Sequence, residues 1–220
     1  MPEKPEVITV AKTLDKKIIG KKITEAKVYY DNVIVGDKEE FISKIKDEKI
    51  EGITTRGKWI IIYLTNYALL THLRMEGRFY FRKKGDSLSK HEHVSLLLDD
   101  NIEMRFHDVR KFGRMILLPK YEVLNIKPLS DLGYEFNDPR LTEEYLLAKF
   151  KNKSTPIKTV LLDQSIIAGI GNIYDDEILY QSHINPLKPA KEINSSEAIE
   201  IIKNTKIILE KAIKKGGTTI

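Results

Sequence analysis

Hydrophobic residues near the start of the chain recur at helical spacing. Beyond Pro5 the apolar positions lie on one face of a helix, at Val7, Val10, Ala11, Leu14 and Ile18. Proline suits the first turn, because its missing N–H leaves no helical hydrogen bond unmade there. The pattern predicts an amphipathic helix over residues 5–18.

After Gly20 the apolar period changes to two, and short alternating runs are separated by turn residues. Such alternation is typical of β-strands with one buried face. Eight strands are predicted, at residues 23–30, 50–54, 59–64, 68–73, 77–82, 93–98, 101–106 and 114–118. This many short strands indicate a β-sandwich or a β-barrel.

Helical patterns dominate the rest of the chain. Residues 128–140 include Pro128, Gly133 and Pro139 and show little periodicity, which predicts a linker. Four helices are predicted after it, at residues 141–150, 156–162, 172–182 and 194–216. Asn194 and Glu197 form a capping-box pattern before the last of them. The fold class is therefore α+β, with a β domain at residues 1–127 and a helical domain at 141–220.

The composition is that of a globular protein, with 41% hydrophobic and 31% charged residues in 220. No apolar run approaches the roughly 20 residues that span a bilayer, and charges interrupt the first twenty residues, so we expect a cytoplasmic protein with no membrane partner. The absence of cysteine excludes disulfides and thiolate metal sites from this sequence. The net charge of +5 favours a nucleic-acid partner only weakly.

The first three residues, Met1-Pro2-Glu3, could supply a nucleophile at the amino terminus. Removal of Met1 makes Pro2 a free secondary amine, and terminal amines have pKa values of about 8, below that of lysine. Such an amine can attack a sugar carbon and form a Schiff base, with Glu3 supplying a proton. The alternative is an ordinary Met-Pro start with no chemical role.

Small residues lie between two predicted helices of the second half. Gly169 and Gly171 allow a close backbone approach before the helix that begins at Asn172. A helix N-terminus binds phosphate readily, and the Asn172 amide can donate to the same group. The residues fit a packed helical hairpin equally well, and both interpretations stay open.

Three features stand out in the first half: Lys58, Met75 and the segment at 108–114 that contains Arg110 and Phe112. An exposed apolar residue flanked by arginines fits a wedge that enters a base stack. The alternative makes Met75 and Phe112 core residues with a solvated rim of arginines. The residues by themselves favour this second interpretation.

Taken together and in order, the motifs of this chain resemble those of bacterial formamidopyrimidine-DNA glycosylases. The resemblance covers essentially the whole chain, through residues 1–7, 73–79, 90–94, 108–113, 132–135, 161–179 and 216–219. It implies an N-terminal β-sandwich with a flanking helix, followed by a helical domain that contains a helix-two-turn-helix.

The implied activity is base-excision repair by a bifunctional glycosylase and abasic-site lyase. Its substrates would be 8-oxoguanine and formamidopyrimidines in double-stranded DNA, and abasic sites, with the protein acting as a monomer. Carried onto this sequence, Pro2 is the nucleophile at C1′ of a flipped nucleotide. Glu3 is the acid that protonates the sugar-ring oxygen.

The resemblance also implies roles for residues around these two. Lys58, Lys158 and Asn172 match positions that grip phosphates near the lesion, and Lys58 is included among the catalytic groups. Glu6 and Glu177 would arrange the site around the terminus. His91 is assigned a hydrogen-bonding or phosphate role, like His93, and no metal site is expected. The gap left by the flipped base would be filled by Met75, Arg110 and Phe112, a trio that favours oxidised purines over the pyrimidines taken by the endonuclease VIII branch.

The sequence departs from the family pattern in several places. Lys4 and Ile8 replace leucine and glutamate, and Val109 and Lys111 replace proline and arginine. Family members continue beyond the 216–219 motif into a base-covering loop and a four-cysteine zinc finger, whereas this sequence ends at Ile220.

That last departure shapes three expectations. No cofactor is expected in this chain, and zinc is expected only if the full gene product has the finger. The 220-residue chain is expected to excise 8-oxoguanine poorly. The alternative function is a truncated or unprocessed form, one that keeps Met1 for example, that binds damaged or abasic DNA without efficient catalysis.

Overall fold

Six α-helices and ten strands lie within residues 1–217, the part of the chain that the computed structural model describes. Thr218, Thr219 and Ile220 lie outside the described residues, and with them the second half of the 216–219 motif. The helices are α1 Lys4–Ile18, α2 Lys38–Ile45, α3 Glu143–Phe150, α4 Ile157–Leu161, α5 Asn172–Gln181 and α6 Ser195–Lys214.

The strands follow the predicted alternation closely. They are β1 Ile23–Val28, β2 Ile50–Arg56, β3 Trp59–Leu64, β4 Tyr67–His72, β5 Arg78–Lys83, β6 Glu92–Leu98, β7 Ile102–His107, β8 Arg114–Pro119, β9 Tyr134–Glu135 and β10 Ile167–Ala168. All eight predicted strands and all five predicted helices are present. The sequence interpretation missed α2 and the two-residue strands β9 and β10, which pair in parallel.

The tertiary contacts divide the chain into two units. Unit 1 comprises Met1–Pro2, Val10–Thr55 and Trp59–Ile126. Unit 2 comprises Glu3–Thr9, Arg56–Lys58 and the chain from Lys127 onward. Two short segments from the first half of the sequence thus belong with the helical unit, including the residues that follow Pro2.

Unit 1 is a β-sandwich of two four-stranded sheets, with strand orders β1-β6-β7-β5 and β2-β3-β4-β8. The pairs β1·β6, β6·β7, β5·β7, β3·β4 and β4·β8 are antiparallel. Its core is formed by buried side chains such as Ile60, Leu69, Leu96 and Phe106. Two separate sheets decide between the sandwich and the barrel that the strand pattern left open.

Unit 2 is helical and is built around a hydrophobic cluster. Leu146, Phe150, Ile157, Ile178 and Ile201 are among its buried members. Helix α6 begins at the predicted capping box, in which the Asn194 side chain accepts from the Glu197 N–H and the Glu197 carboxylate accepts from the Asn194 N–H. None of the helices in residues 1–217 is both long and apolar enough to cross a membrane.

Candidate functional site

The Glu3 side chain binds the N-terminus of helix α5. Its carboxylate oxygens accept hydrogen bonds from the main-chain N–H groups of Gly171 at 2.8 Å, Ile173 at 2.9 Å and Tyr174 at 3.4 Å. These amides are among those that a helix leaves unpaired at its start, where the helix dipole favours a negative charge. This N-terminus, predicted as a phosphate site, therefore already holds an anionic group of the protein itself.

Gly171 makes this contact possible. A Cβ atom at this position would lie 2.3 Å from the Glu3 carboxyl carbon, so any other residue would displace the carboxylate. The close backbone approach that Gly171 predicts is therefore present in the structure. The group that approaches Gly171 is the Glu3 side chain, from the residue next to Pro2.

Burial raises the pKa of the Glu3 carboxyl group above its ordinary value. The three amide hydrogen bonds and the charge of Lys58 act in the opposite direction but do not cancel the effect of burial. A carboxylic acid that keeps its proton closer to neutral pH is suited to general acid catalysis.

Glu6 connects the start of helix α1 to helix α5. One carboxylate oxygen accepts the Glu3 N–H at 2.9 Å, and the other accepts the Tyr174 hydroxyl at 2.7 Å. Gly217, the last described residue, also lies against it, since a Cβ there would approach the Glu6 carboxylate within 2.7 Å. Glu6 therefore fixes the main-chain N–H of Glu3.

Lys58 is buried and lies beside an ion network centred on Glu135. One Glu135 oxygen accepts from Lys4 Nζ at 2.9 Å and from the Gly57 N–H at 2.7 Å, and Arg56 lies 3.4 Å away. Burial lowers the pKa of Lys4, against the effect of Glu135. Through Glu135, the network joins Lys4, the residue after Glu3, to Gly57, the residue before Lys58.

Sequence reasoning noted Lys4 only as a departure from the family pattern and used Glu135 only as a motif residue. Lys4 stands three positions before Val7 and seven before Ala11, so it continues the apolar face of the predicted helix, and a charge there was the available signal. Its partner is 131 positions away in the sequence, so the pair itself could not be read from local spacing.

The other predicted phosphate ligands of unit 2 lie on α4 and α5. Asn172 is exposed at the first position of α5, and Lys158, on α4, forms an ion pair with Asp176. Glu177 is exposed and lines an open groove of about 500 Å³ between α5 and α6, with Tyr174 and Lys211 among the other lining residues.

In unit 1, Asp108 shapes the turn that carries Arg110 and Phe112. Asp108 is fully buried, and its carboxylate accepts the N–H groups of Arg110 at 3.0 Å and Gly113 at 2.7 Å. Lys111 has a φ of 60° within this turn. The Arg110 guanidinium stacks over the Phe112 ring at 5.2 Å, and Phe112 is 48% exposed.

Met75 lies with these residues around an open pocket of about 380 Å³. The lining residues are Met1, Arg74, Met75, Arg110, Phe112 and Arg114. Met75 is 38% exposed, so the interpretation of Met75 and Phe112 as core residues, which the residues alone favoured, is wrong. The structure brings the predicted trio together as two exposed apolar side chains among arginines.

The two histidines of the 90–94 motif have different surroundings. His91, half-buried before β6, packs against His107 with ring centroids 5.7 Å apart. His93 is buried, and its Nε2 lies 2.7 Å from the Asp108 carbonyl oxygen. Burial lowers the pKa of His107. Residues 1–217 contain no group of three or more His, Asp or Glu side chains placed to hold a metal ion.

Comparison with known families accounts for both units. Residues 1–115 match the formamidopyrimidine-DNA glycosylase N-terminal domain, and residues 132–220 match the H2TH domain of the same enzymes. The chain belongs to the formamidopyrimidine-DNA glycosylase family.

Curated members of this glycosylase family are similar over the whole chain. A formamidopyrimidine-DNA glycosylase of Bacillus cereus is 42% identical over 222 residues, which cover 100% of this chain and 80% of the relative. The enzyme of Lactobacillus delbrueckii subsp. bulgaricus is 37% identical over 220 residues, with 100% and 81% covered. The chain thus spans about four fifths of the length of these relatives.

Solved structures of the family share the fold. The Lactococcus lactis Fpg in complex with DNA containing an abasic site superposes with a TM-score of 0.92 at 32% identity, covering 99% of this chain and 80% of that one. A mutant of the same protein bound to Fapy-dG DNA gives 0.93 at 33% identity, covering 100% and 81%. These glycosylases were therefore captured on damaged DNA in the fold described here.

Proposed function

We propose that this protein removes oxidised purines, 8-oxoguanine and formamidopyrimidines, from double-stranded DNA in the cytoplasm and then cleaves the abasic site through an imine at Pro2. It is a base-excision repair glycosylase and lyase by family. The observation that carries the proposal is the Glu3 carboxyl group, held by three amides at the start of α5, one peptide bond from Pro2.

The proposed reaction needs two proton donors. The Pro2 nitrogen forms a bond to C1′ of the flipped nucleotide and loses its own proton to the departing base, which leaves with the electrons of the C1′–N bond. Glu3 gives its proton to the sugar-ring oxygen, which leaves C1′ with the second electron pair. The product is an iminium ion joining Pro2 to C1′, as in other amine-based covalent catalysis.

The raised pKa of Glu3 supports the acid role, since burial favours the protonated form that a general acid needs. Lys58 adds a positive charge near this carboxyl group. Glu6 and the Lys4–Glu135 pair would hold in place the main-chain segments that carry Glu3 and Lys58.

On the DNA side, the exposed trio of Met75, Arg110 and Phe112 has the character of a wedge. Insertion of apolar side chains between bases, with arginines nearby, offsets the cost of extruding a nucleotide. We assign Lys158, Asn172 and His91 to phosphate contacts, which position the backbone without reading sequence.

Borohydride trapping tests the covalent step. With Met1 removed, reaction with abasic-site DNA in the presence of borohydride should yield a protein–DNA adduct at Pro2, located by peptide mass. The same chain with Met1 retained carries an amide in place of the amine, and should bind this DNA without forming an adduct. An adduct mapped to Lys4 or Lys58 would refute the assignment of Pro2.

A further inference from the structure

Asp175, in the first turn of α5, is a fully buried carboxyl group with no hydrogen-bond partner for either oxygen within residues 1–217. Its main-chain N–H donates to the Gly171 carbonyl at 2.9 Å, so the residue is an ordinary member of the helix. An unpaired ionised carboxylate in such a place is costly, and buried acids commonly respond by holding a proton.

Charged groups from several elements surround Asp175. Asp176 follows it on α5, Lys158 faces it from α4, and Glu3 approaches from the start of α1. Helix α6 also packs against α5, and Lys211 on α6 and Lys215 just after it line the same groove as Glu177. Burial, with Asp176 and Glu3, raises the pKa of Asp175 to about 7, against the effect of Lys158.

Asp175 lies within one helical turn of Asn172, and the charge of Lys158 on α4 also acts on it. Asn172 is three positions earlier on α5, a spacing that puts side chains about 5–6 Å apart at Cβ. Lys158 forms its ion pair with Asp176, the residue after Asp175. A phosphate held by Lys158 and Asn172 would therefore bring a negative charge close to a buried carboxyl group.

We propose that Asp175 takes up a proton when a DNA phosphate binds at Lys158 and Asn172, so that affinity for DNA falls as pH rises through neutrality. The proposal rests on the proposed phosphate contact. Phosphate repels ionised Asp175, and this repulsion is strong because little water screens a buried group. By linkage, protonated Asp175 favours DNA binding, and bound DNA favours protonation to the same extent.

The neighbouring aspartates provide a matched pair of variants. Asp175 is fully buried, whereas the Asp176 side chain is 56% exposed and is ion-paired with Lys158. Asp175→Asn removes the group that takes up the proton, with almost no change in shape. Asp176→Asn removes an equal charge one position away but releases Lys158 for phosphate.

The experiment measures affinity for a duplex with a tetrahydrofuran abasic analogue, which cannot react, from about pH 6 to about pH 9 at constant salt. The parent should lose about five- to ten-fold in affinity over this range, as expected for a phosphate that shifts one carboxyl pKa by about one unit. Calorimetry in buffers of different ionisation enthalpy should detect uptake of up to one proton. Histidines also change charge in this range, but they do so equally in parent and variant.

Asp175→Asn should remove the five- to ten-fold fall and the proton uptake, and should bind more tightly than the parent above about pH 8. Asp176→Asn should bind more tightly at every pH and should keep a fall of similar size, with its midpoint at lower pH because Asp176 no longer raises the Asp175 pKa. If Asp175→Asn kept the parent's pH profile, or if Asp176→Asn abolished it, the proposal would be overturned.

Two measurements distinguish a failure of the Asp175 linkage from a failure of the proposed function. Unfolding without DNA, followed against pH, reports whether Asp175→Asn folds and whether the parent titrates at this residue. If Lys158→Ala leaves affinity unchanged, the phosphate contact is wrong and the linkage with it. If Lys158→Ala weakens binding while Asp175→Asn leaves the pH profile untouched, only the linkage is wrong.

Discussion

At the residue scale, the site depends on charged groups that are buried and held in place. Glu3 is only 2% exposed, yet its carboxylate has three amide donors. Asp175 lies in the first turn of α5, which supplies two of those amides, and its own carboxylate has no hydrogen-bond donor within the described chain. The same helix start therefore stabilises one carboxylate and leaves another unpaired, and the two side chains should respond to substitution in opposite ways.

Glu3→Gln should lower single-turnover excision of 8-oxoguanine by about 10²–10⁴-fold, the usual contribution of a general acid. Excision by the parent should fall as pH rises through the raised Glu3 pKa, because only the protonated acid can donate. Trapping on a preformed abasic site should suffer less, since the open-chain form of that site has no sugar ring left to open by proton transfer from Glu3. The exposed Glu192→Gln is the matched control, and equal losses in both variants would contradict the acid role.

Asp175→Asn should stabilise the folded protein at pH 8. The Asp175 pKa is raised in the folded state from 3.8 to about 7, so folding retains a proton that the unfolded chain has lost. Stability is then full below about pH 4 and decreases as pH rises to about 7. We expect a gain of roughly 2 kcal/mol at pH 8 and none at pH 4, since an unpaired amide is still costly. Urea unfolding at the two pH values measures it, and an equal effect at both would contradict it.

At the scale of elements, the turn at residues 108–113 presents Arg110 and Phe112 because a buried aspartate satisfies two of its main-chain N–H groups. Asp108→Asn keeps only one good acceptor oxygen. It should therefore loosen the turn and weaken binding to lesion-containing duplex by about ten-fold, equivalent to one lost hydrogen bond to a charged group.

Undamaged duplex should be affected less, because the wedge acts only where a base is extruded. The exposed Asp99→Asn, in another turn of the same unit, is the control for the loss of one charge. Competition binding with lesion and plain duplexes measures the ratio. Equal weakening of both would show that Asp108 supports the fold and not the wedge.

The elements were predictable from the sequence where hydrophobic periodicity is long or regular, as in α1, α6 and the eight strands of the sandwich. Helix α2 was missed because its eight residues show only two buried positions, Phe41 and Ile45, although Asp37 was a readable N-cap. Strands β9 and β10 have two residues each, too few for any period. The Glu3–α5 and Lys4–Glu135 contacts join distant segments and had no local signal.

At the scale of the molecule, a net charge of +5 makes DNA association dependent on salt. Lys158→Ala should weaken binding to every duplex and reduce the salt slope by about one unit. Asn172→Ala should weaken binding with little change in slope, because no charge is removed. Lys203→Ala, which also removes an ion-paired lysine, should change neither. Parental slopes and affinities in both Lys158→Ala and Asn172→Ala would exclude this phosphate site.

The hydrogen bond between Glu3 and Gly171 joins residues 168 positions apart. During synthesis on the ribosome, the amino terminus emerges first, and Pro2 is available as soon as Met1 has been removed. The amides that hold Glu3 belong to residues 171, 173 and 174, which are made long after the amino terminus. Under the proposed mechanism, a nascent chain therefore has its nucleophile long before its acid is held in place, and it cannot act before the start of α5 has been made.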